Sequence, residues 1–251
     1  MLAFTKNERN MCSVIDPNST KKQERVISCI STDNQDEYKT FKEYQCVGDE
    51  KLQQLPNNKS EREIIFCCGK SGSGKSTYIY SYCVEWKKQN KGKDIYVFSA
   101  LTEDKSIDRL KPKRIKIDDE LLSCPLSASD FEGSMIIFDD IDVIQSKEHK
   151  KAVQKLLMEV LQVGRHFKIS CCMSNHLLCS GMDTKMILNE THSITYFPRG
   201  TPPRSIKYLT ENYIGLTKEQ RIDAEQSNSR WITCFNQYPL TVLTEKTIKV
   251  L

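Results

Sequence analysis

The chain has 251 residues, which is enough for one α/β domain with extensions and a sizeable buried core. Its 37 basic and 33 acidic residues give a net charge of +4, which permits a nucleic-acid partner without requiring one. No apolar run approaches the roughly 18 residues that cross a membrane, and no long apolar segment follows the first residues. We therefore expect neither a secretory signal nor a membrane partner.

The eleven cysteines are an odd number and contain no C-x-x-C pair, which argues against a zinc ribbon. Several of them occupy apolar, strand-like runs. We expect reduced, mostly buried thiols in a cytosol-like compartment.

Residues 1–60 are polar and irregular, with one weakly alternating strand at 25–30. We interpret them as an N-terminal extension. The core is expected at 61–200, and a C-terminal helix with short strands, 201–251, is expected to pack on it.

The most informative segment begins where the apolar run 64–68 ends in glycines. Gly69, Gly74, Lys75 and Ser76 satisfy G-x-x-x-x-G-K-[ST], in which backbone N–H groups form a concave nest around phosphate oxygens. Lys75 is expected to reach the β- and γ-phosphates, and the Ser76 hydroxyl to bind Mg²⁺. The predicted ATP-binding residues are Gly69, Lys70, Ser71, Gly72, Ser73, Gly74, Lys75, Ser76 and Thr77.

A helix is predicted from Lys75 to Gln89, with a stop at 90–92, followed by a strand at 95–98. Alternating strands and helices indicate an α/β fold with a mostly parallel central sheet flanked by helices. Six cations crowd residues 105–116. They fit either a contact with a DNA backbone or a solvated basic edge.

A second chemical segment is a buried strand that ends in Asp139 and Asp140. Ligands of open α/β sheets bind at the carboxyl ends of strands, and paired buried acids need a cation or a proton. We expect Asp139 to hold Mg²⁺, and Asp140 to orient or deprotonate the attacking water.

An amphipathic helix follows and ends at Gly164-Arg165-His166, before another apolar strand that ends in Ser174-Asn175-His176. Asn175 at this strand tip suits a sensor of the γ-phosphate, although a turn-forming asparagine explains it as well. A last core strand is predicted at 193–197, a helix at 204–213 and short strands in 231–251.

In this order, the P-loop, Asp139-Asp140, Gly164-Arg165-His166, Ser174-Asn175-His176 and Phe197-Pro198-Arg199 resemble the genome-packaging ATPases of nucleocytoplasmic large DNA viruses and virophages. These poxvirus-type enzymes belong to the FtsK–HerA superfamily of P-loop motors. The resemblance implies the additional-strand type of P-loop fold and a homo-oligomeric ring that uses ATP and Mg²⁺. It further implies that double-stranded DNA is threaded into a capsid, with capsid or portal partners, in the viral factory of the host-cell cytoplasm.

Two features of the resemblance stay open. Many superfamily members have Gln where this chain has Asn175, and His176 is a second candidate for the sensor. Arg165 is the first candidate for an arginine finger supplied by a neighbouring subunit and Arg199 the second, although either could form an ordinary salt bridge. Residues 105–116 and 177–192 are candidates for gripping DNA.

Three other functions remain compatible with a P-loop. A nucleoside kinase would transfer phosphate to a nucleoside, but it normally lacks the paired acids. A non-hydrolysing scaffold has no need of Asp140. A related DNA-translocating ATPase with another role shares every motif.

Overall fold

The computed structural model describes residues 1–18, 25–176 and 182–251. They form two compact units. One unit is the continuous segment 61–192, and the other combines residues 1–60 with 193–251. This division differs from the predicted one, in which residues 1–60 formed a separate extension.

The strands of the described residues are β1 (Leu2–Phe4), β2 (Arg9–Ile15), β3 (Arg25–Cys29), β4 (Glu43–Gln45), β5 (Lys51–Gln54), β6 (Ile64–Cys68), β7 (Ile95–Ser99), β8 (Lys113–Ile115), β9 (Met135–Asp139), β10 (Ser170–Asn175), β11 (Ser193–Tyr196), β12 (Ile232–Phe235), β13 (Thr241–Thr244) and β14 (Thr247–Val250). The α-helices are α1 (Lys75–Gln89), α2 (Asp119–Ser123), α3 (Lys147–Val163), α4 (Met182–Glu190), α5 (Pro203–Lys207) and α6 (Lys218–Gln226), with a π-helix at Tyr208–Ile214.

The unit of residues 61–192 contains five parallel strands in the order β6-β10-β9-β7-β8. Strands β6 and β9 are buried along their whole length, as expected for apolar strands covered on both faces. Helix α1 buries Ile79, Cys83 and Trp86 at helical spacing. The predicted α/β class with a mostly parallel sheet is confirmed.

The parallel register places the ends of neighbouring strands side by side. Asp139 at the end of β9 lies opposite Ser99 on β7 and Ser174 on β10. Asn175 lies opposite Cys68, the last residue before the predicted P-loop. The polar residues that follow the apolar strands therefore converge at one edge of the sheet, where ligands of such folds bind.

The other unit contains two antiparallel groups of strands, in the orders β1-β3-β2-β5 and β4-β14-β13-β12-β11. Residues 1–60 supply five of these strands and bury Leu2, Met11, Ile27 and Leu52. Apart from β3, these strands were not predicted from the sequence because they are short and are separated by polar loops.

Within the described ranges, no helix combines the length and apolar character needed to cross a bilayer. The ten cysteines of these ranges are free thiols; Cys124 is exposed, Cys46 is half-buried and the others are buried. This agrees with the reduced thiols expected from the sequence.

Candidate nucleotide-binding site

The loop between β6 and α1 has the backbone of a phosphate cradle. Gly72 has φ of +74° and Gly74 has φ of +109°, a region that side chains other than glycine rarely adopt. Helix α1 begins directly after the loop, so the unpaired N–H groups of its first turn and its dipole favour an anion there. The Ser73 hydroxyl is buried and has no partner among the described residues, as expected of a group that awaits a ligand.

Lys75 is held inside this cradle. It is only 5% exposed, and its ammonium nitrogen lies 2.9 Å from the carbonyl oxygen of Gly69. The same nitrogen lies 3.6 Å from Oδ1 of Asp140. A phosphate entering the cradle would therefore meet a cation that is already in position, which lowers the cost of binding.

Asp139 is almost fully buried, with 2% of its surface exposed. Its carboxylate accepts hydrogen bonds from the hydroxyls of Ser174, at 2.7 Å, and Ser99, at 3.1 Å. Burial raises the pKa of Asp139, and the charge of Asp140 raises it further, while the two serines lower it. A cation would favour the ionised form of this acid.

The donor set fits Mg²⁺. Magnesium prefers carboxylate and hydroxyl oxygens together with phosphate oxygens. Asp139 supplies a carboxylate, and Ser76, whose hydroxyl makes no hydrogen bond to the described residues, follows Lys75 in the first turn of α1. When bound, Mg²⁺ would neutralise charge on the β- and γ-phosphates.

Asp140 lies in the left-handed region with φ of +46°, and its Oδ1 atom lies 3.1 Å from the Ser174 hydroxyl that also contacts Asp139. Its N–H group donates to both oxygens of Ser174 at 3.1 Å. Its Oδ2 atom lies 3.1 Å from Nε2 of His176. The other ring nitrogen of His176 lies 3.4 Å from the ammonium of Lys75, so the histidine bridges Lys75 and Asp140.

Asn175 and His176 have different surroundings. The carbonyl oxygen of Asn175 accepts a hydrogen bond from the N–H of Gly69 at 3.2 Å, so its backbone fixes the start of the cradle. The Asn175 side chain makes no hydrogen bond within the described part of the chain. Of the two sensor candidates, His176 is the one in contact with Lys75 and Asp140.

Comparison with known proteins shows to which family the chain belongs. No protein-family model matches it. Protein V3 of Sputnik virophage is 38% identical over 197 residues, which cover 77% of this chain and 79% of V3. This chain belongs to the V3 family. The kinship with virophage proteins that the motifs indicated is thereby confirmed.

Solved structures were also compared with this chain. The pCW3 conjugation coupling protein TcpA, in its monomer form with ATPγS, is 15% identical, with 93% of this chain and 76% of TcpA covered and a TM-score of 0.51. The genome-packaging NTPase B204 of Sulfolobus turreted icosahedral virus 2, in complex with AMPPCP, is 14% identical, with 74% of this chain and 99% of B204 covered and a TM-score of 0.48. The likeness to TcpA shows that this member of the V3 family has the same fold.

The structure keeps Arg165 away from the phosphate cradle of its own subunit. Arg165 is exposed in the turn after α3, beside the starts of β9 and β10, where Gly133 N–H donates to the carbonyl of Phe167. Lys75 lies at the edge where these strands end. Arg199 belongs to the other unit, and its guanidinium donates to Oδ1 of Asn228 at 2.6 Å.

The basic segment 105–116 is partly neutralised. Arg114 pairs with Asp108 at 2.6 Å, and Lys113 pairs with Asp94 at 2.7 Å. Lys105, Arg109, Lys111 and Lys116 are exposed and have no ion-pair partner among the described residues, so these four offer free charge. In the second DNA-binding candidate, 177–192, residues 177–181 and the side chains of 182–184 lie outside the described residues.

Three residues of the site were not assigned a main role from the sequence. Ser99 and Ser174 bind the carboxylate of Asp139, and His176 binds Asp140. Each is a polar residue at the end of an apolar strand, and that position is the signal that could have identified them.

Proposed function

We propose that this protein is an ATP-driven viral DNA-packaging motor, which translocates double-stranded DNA into a preformed capsid. The proposal of ATP hydrolysis rests on the position of Asp140. Ser174 and His176 contact its carboxylate, and its Oδ1 atom lies 3.6 Å from the ammonium of Lys75. The packaging role is supported by the kinship with a virophage protein and by the motifs shared with packaging ATPases. Such a motor would work with capsid or portal proteins in the host-cell cytoplasm.

The residues divide the chemistry among themselves. The cradle and Lys75 bind the phosphates of ATP, and Ser76 and Asp139 hold Mg²⁺. Asp140 orients the attacking water and accepts its proton, because its carboxylate is the acid closest to Lys75 among the described residues. His176 orients the carboxylate of Asp140 by a contact at 3.1 Å.

Asn175 remains our candidate for the group that senses the γ-phosphate, and His176 is the alternative. The pair Asn175→Ala and His176→Ala separates them, because only the second removes the bridge between Lys75 and Asp140. If Asn175 is the sensor, its variant loses hydrolysis and retains ATP binding. Full hydrolysis by Asn175→Ala together with a large loss in His176→Ala would assign the role to His176.

Arg165 is proposed to complete the site of a neighbouring subunit in a ring. The side chain is exposed and lies at the opposite edge of the sheet from Lys75, as a finger acting between subunits requires. Mixing Arg165→Ala subunits with Lys75→Ala subunits should restore part of the hydrolysis that each lacks. The same mixture made with Arg199→Ala subunits tests the second candidate, and a mixture of Arg165→Ala and Lys75→Ala subunits without any recovery would contradict the assignment of Arg165.

The experiment that tests the function is steady-state ATP hydrolysis with and without long double-stranded DNA. We expect DNA to stimulate the wild type. Asp140→Asn should abolish hydrolysis while ATP binding, measured by calorimetry, is retained. Hydrolysis that ignores DNA even when capsid or portal proteins are added would overturn the packaging role. Transfer of phosphate to a nucleoside would indicate a kinase instead.

A further inference from the structure

A stacked pair of side chains lies beside α1, outside the network of Asp139 and Asp140. Arg109 belongs to a 3₁₀ turn at Ile107–Leu110, and its guanidinium carbon lies 4.2 Å from the centre of the Tyr80 ring. This separation is that of a close cation–π contact. The chemistry of hydrolysis makes no use of the pair.

The pair is connected to the phosphate cradle through a second contact. The hydroxyl of Thr77, in the first turn of α1, lies 3.3 Å from the hydroxyl of Ser106. Tyr80 follows Thr77 by three residues, and Arg109 follows Ser106 by three residues. The two elements therefore run side by side, and the stacked pair lies about 5 Å, one helical turn, from the contact at Thr77.

The turn that carries Arg109 is held in place by hydrogen bonds. Oδ1 of Asp104 accepts from the N–H groups of Ser106 and Ile107, at 2.8 and 2.7 Å. Asp108 accepts from the N–H of Asp104 at 2.7 Å and pairs with Arg114. A ligand that contacts Arg109 would therefore meet a preorganised turn and lose little entropy in ordering it.

Arg109 also differs from its basic neighbours in its partners. Lys113 and Arg114 each pair with a carboxylate, whereas Arg109 has only the Tyr80 ring as a partner among the described residues, and it is exposed. The guanidinium carbon lies over the Tyr80 ring, and the side of the exposed guanidinium away from Tyr80 can receive a second planar ring. Nucleobases stack on arginine planes in this way.

We propose that Tyr80 and Arg109 form the platform on which the base of the bound nucleoside triphosphate stacks. This inference rests on the proposed function, because it requires the phosphates to occupy the P-loop. Stacking depends weakly on the identity of the base, so the platform favours purines by their larger area and does not select adenine. The alternative role for Arg109, a contact with DNA phosphate, would depend on its charge alone.

The test compares a complete nucleotide with its phosphate part. Calorimetry with Mg²⁺ measures the binding of AMPPCP and of inorganic tripolyphosphate to the wild type, Arg109→Ala and Arg109→Lys. The lysine variant keeps the charge but lacks the plane. Lys91→Ala, which removes an exposed cation beyond the end of α1, is the matched control.

We expect both Arg109 variants to bind AMPPCP about tenfold more weakly, a loss within the range of one stacked base, and to bind tripolyphosphate as the wild type does. Unchanged AMPPCP binding in Arg109→Ala would overturn the platform. So would full affinity in Arg109→Lys, or an equal loss for both ligands. If the wild type binds neither ligand, the proposed function is overturned together with the platform. If the wild type binds both ligands but the Arg109 variants do not behave as expected, only the platform is overturned.

Discussion

Ser174 is the residue on which both acids of the site depend. Its hydroxyl lies 2.7 Å from Oδ1 of Asp139 and 3.1 Å from Oδ1 of Asp140. It also accepts the N–H of Asp140. One small side chain on the neighbouring strand therefore contacts both carboxylates, while Ser99 supports Asp139 and His176 supports Asp140.

We predict that Ser174→Ala lowers the free energy of unfolding by about 1–3 kcal/mol, because a buried carboxylate oxygen loses its closest donor. The same variant should need more Mg²⁺ for half-maximal hydrolysis, since Asp139 is no longer oriented. Denaturant unfolding and a Mg²⁺ titration measure the two effects. Ser99→Ala is the control: it removes only the 3.1 Å contact with Asp139 and should have the smaller effect. Equal effects of the two variants would contradict the central role of Ser174.

The buried, ionised carboxylate of Asp139 lowers the stability of the folded protein while no cation is bound. Burial raises its pKa, which means that the ionised carboxylate is disfavoured while no cation is bound. We predict that Asp139→Asn raises the melting temperature of the nucleotide-free protein and abolishes Mg²⁺-dependent hydrolysis. Scanning calorimetry with a chelator present measures the first effect. A melting temperature below that of the wild type would show that the two serines more than offset the burial.

Arg62 fastens the end of α3 to the parallel sheet. Its guanidinium donates to the carbonyl oxygens of Val160 and Leu161, in the last turn of α3, and to that of Ile169 before β10. The Val160 carbonyl also accepts the N–H of Gly164 at 3.0 Å, and Arg62 adds side-chain donors to the last turn of α3, where helical carbonyls run out of backbone partners.

We predict that Arg62→Ala lowers the free energy of unfolding by about 1.5–3 kcal/mol, the contribution of hydrogen bonds to a charged group. For a chain of this size that is a fall in melting temperature of about 3–12 °C. Arg62→Lys keeps the charge but cannot reach three carbonyls and should give an intermediate value. Nucleotide affinity should be unchanged, because the phosphate cradle lies at the opposite edge of the sheet. A large loss of affinity would contradict this separation.

Local signals predicted the elements that bear the phosphate chemistry. The glycines before Lys75 and the stop after Gln89 gave the bounds of α1, and the apolar run before Asp139 gave β9. The contacts of Ser99 and Ser174 could not be predicted, because they depend on the register between strands that lie far apart in the chain. For the same reason the polar strand β4 was missed: it pairs with β14, about 200 residues later.

Gly164, the first residue of Gly164-Arg165-His166, is required by the geometry of the turn after α3. A Cβ atom at Gly164 would lie 2.3 Å from the carbonyl oxygen of Val160. The turn after α3 therefore requires glycine for steric reasons. The motif indicated a family, but only the structure shows why its first residue is glycine: a Cβ atom there would collide with the Val160 carbonyl and come within 3.4 Å of the Arg62 guanidinium.

Most of the cysteines in the described part of the chain are buried. Burial raises the pKa of Cys46 to about 11 and that of Cys171 to about 12, and the thiolate is the reactive form. We predict that iodoacetamide at neutral pH labels Cys124 first among the ten described cysteines, and the buried ones only after unfolding in urea. Peptide mass spectrometry over time measures the order, with Cys124→Ser as the control. Labelling of Cys171 as fast as Cys124 in the native protein would contradict the fold around β10.

The left-handed backbone at Asp140 restricts the evolutionary routes by which this chain can lose its activity. Asparagine and glycine adopt a φ near +46° readily, whereas valine, isoleucine and threonine are strained there. A relative that has lost the carboxylate but kept this backbone is therefore expected to carry asparagine or glycine at this position. A β-branched residue there would instead indicate a different backbone after the strand.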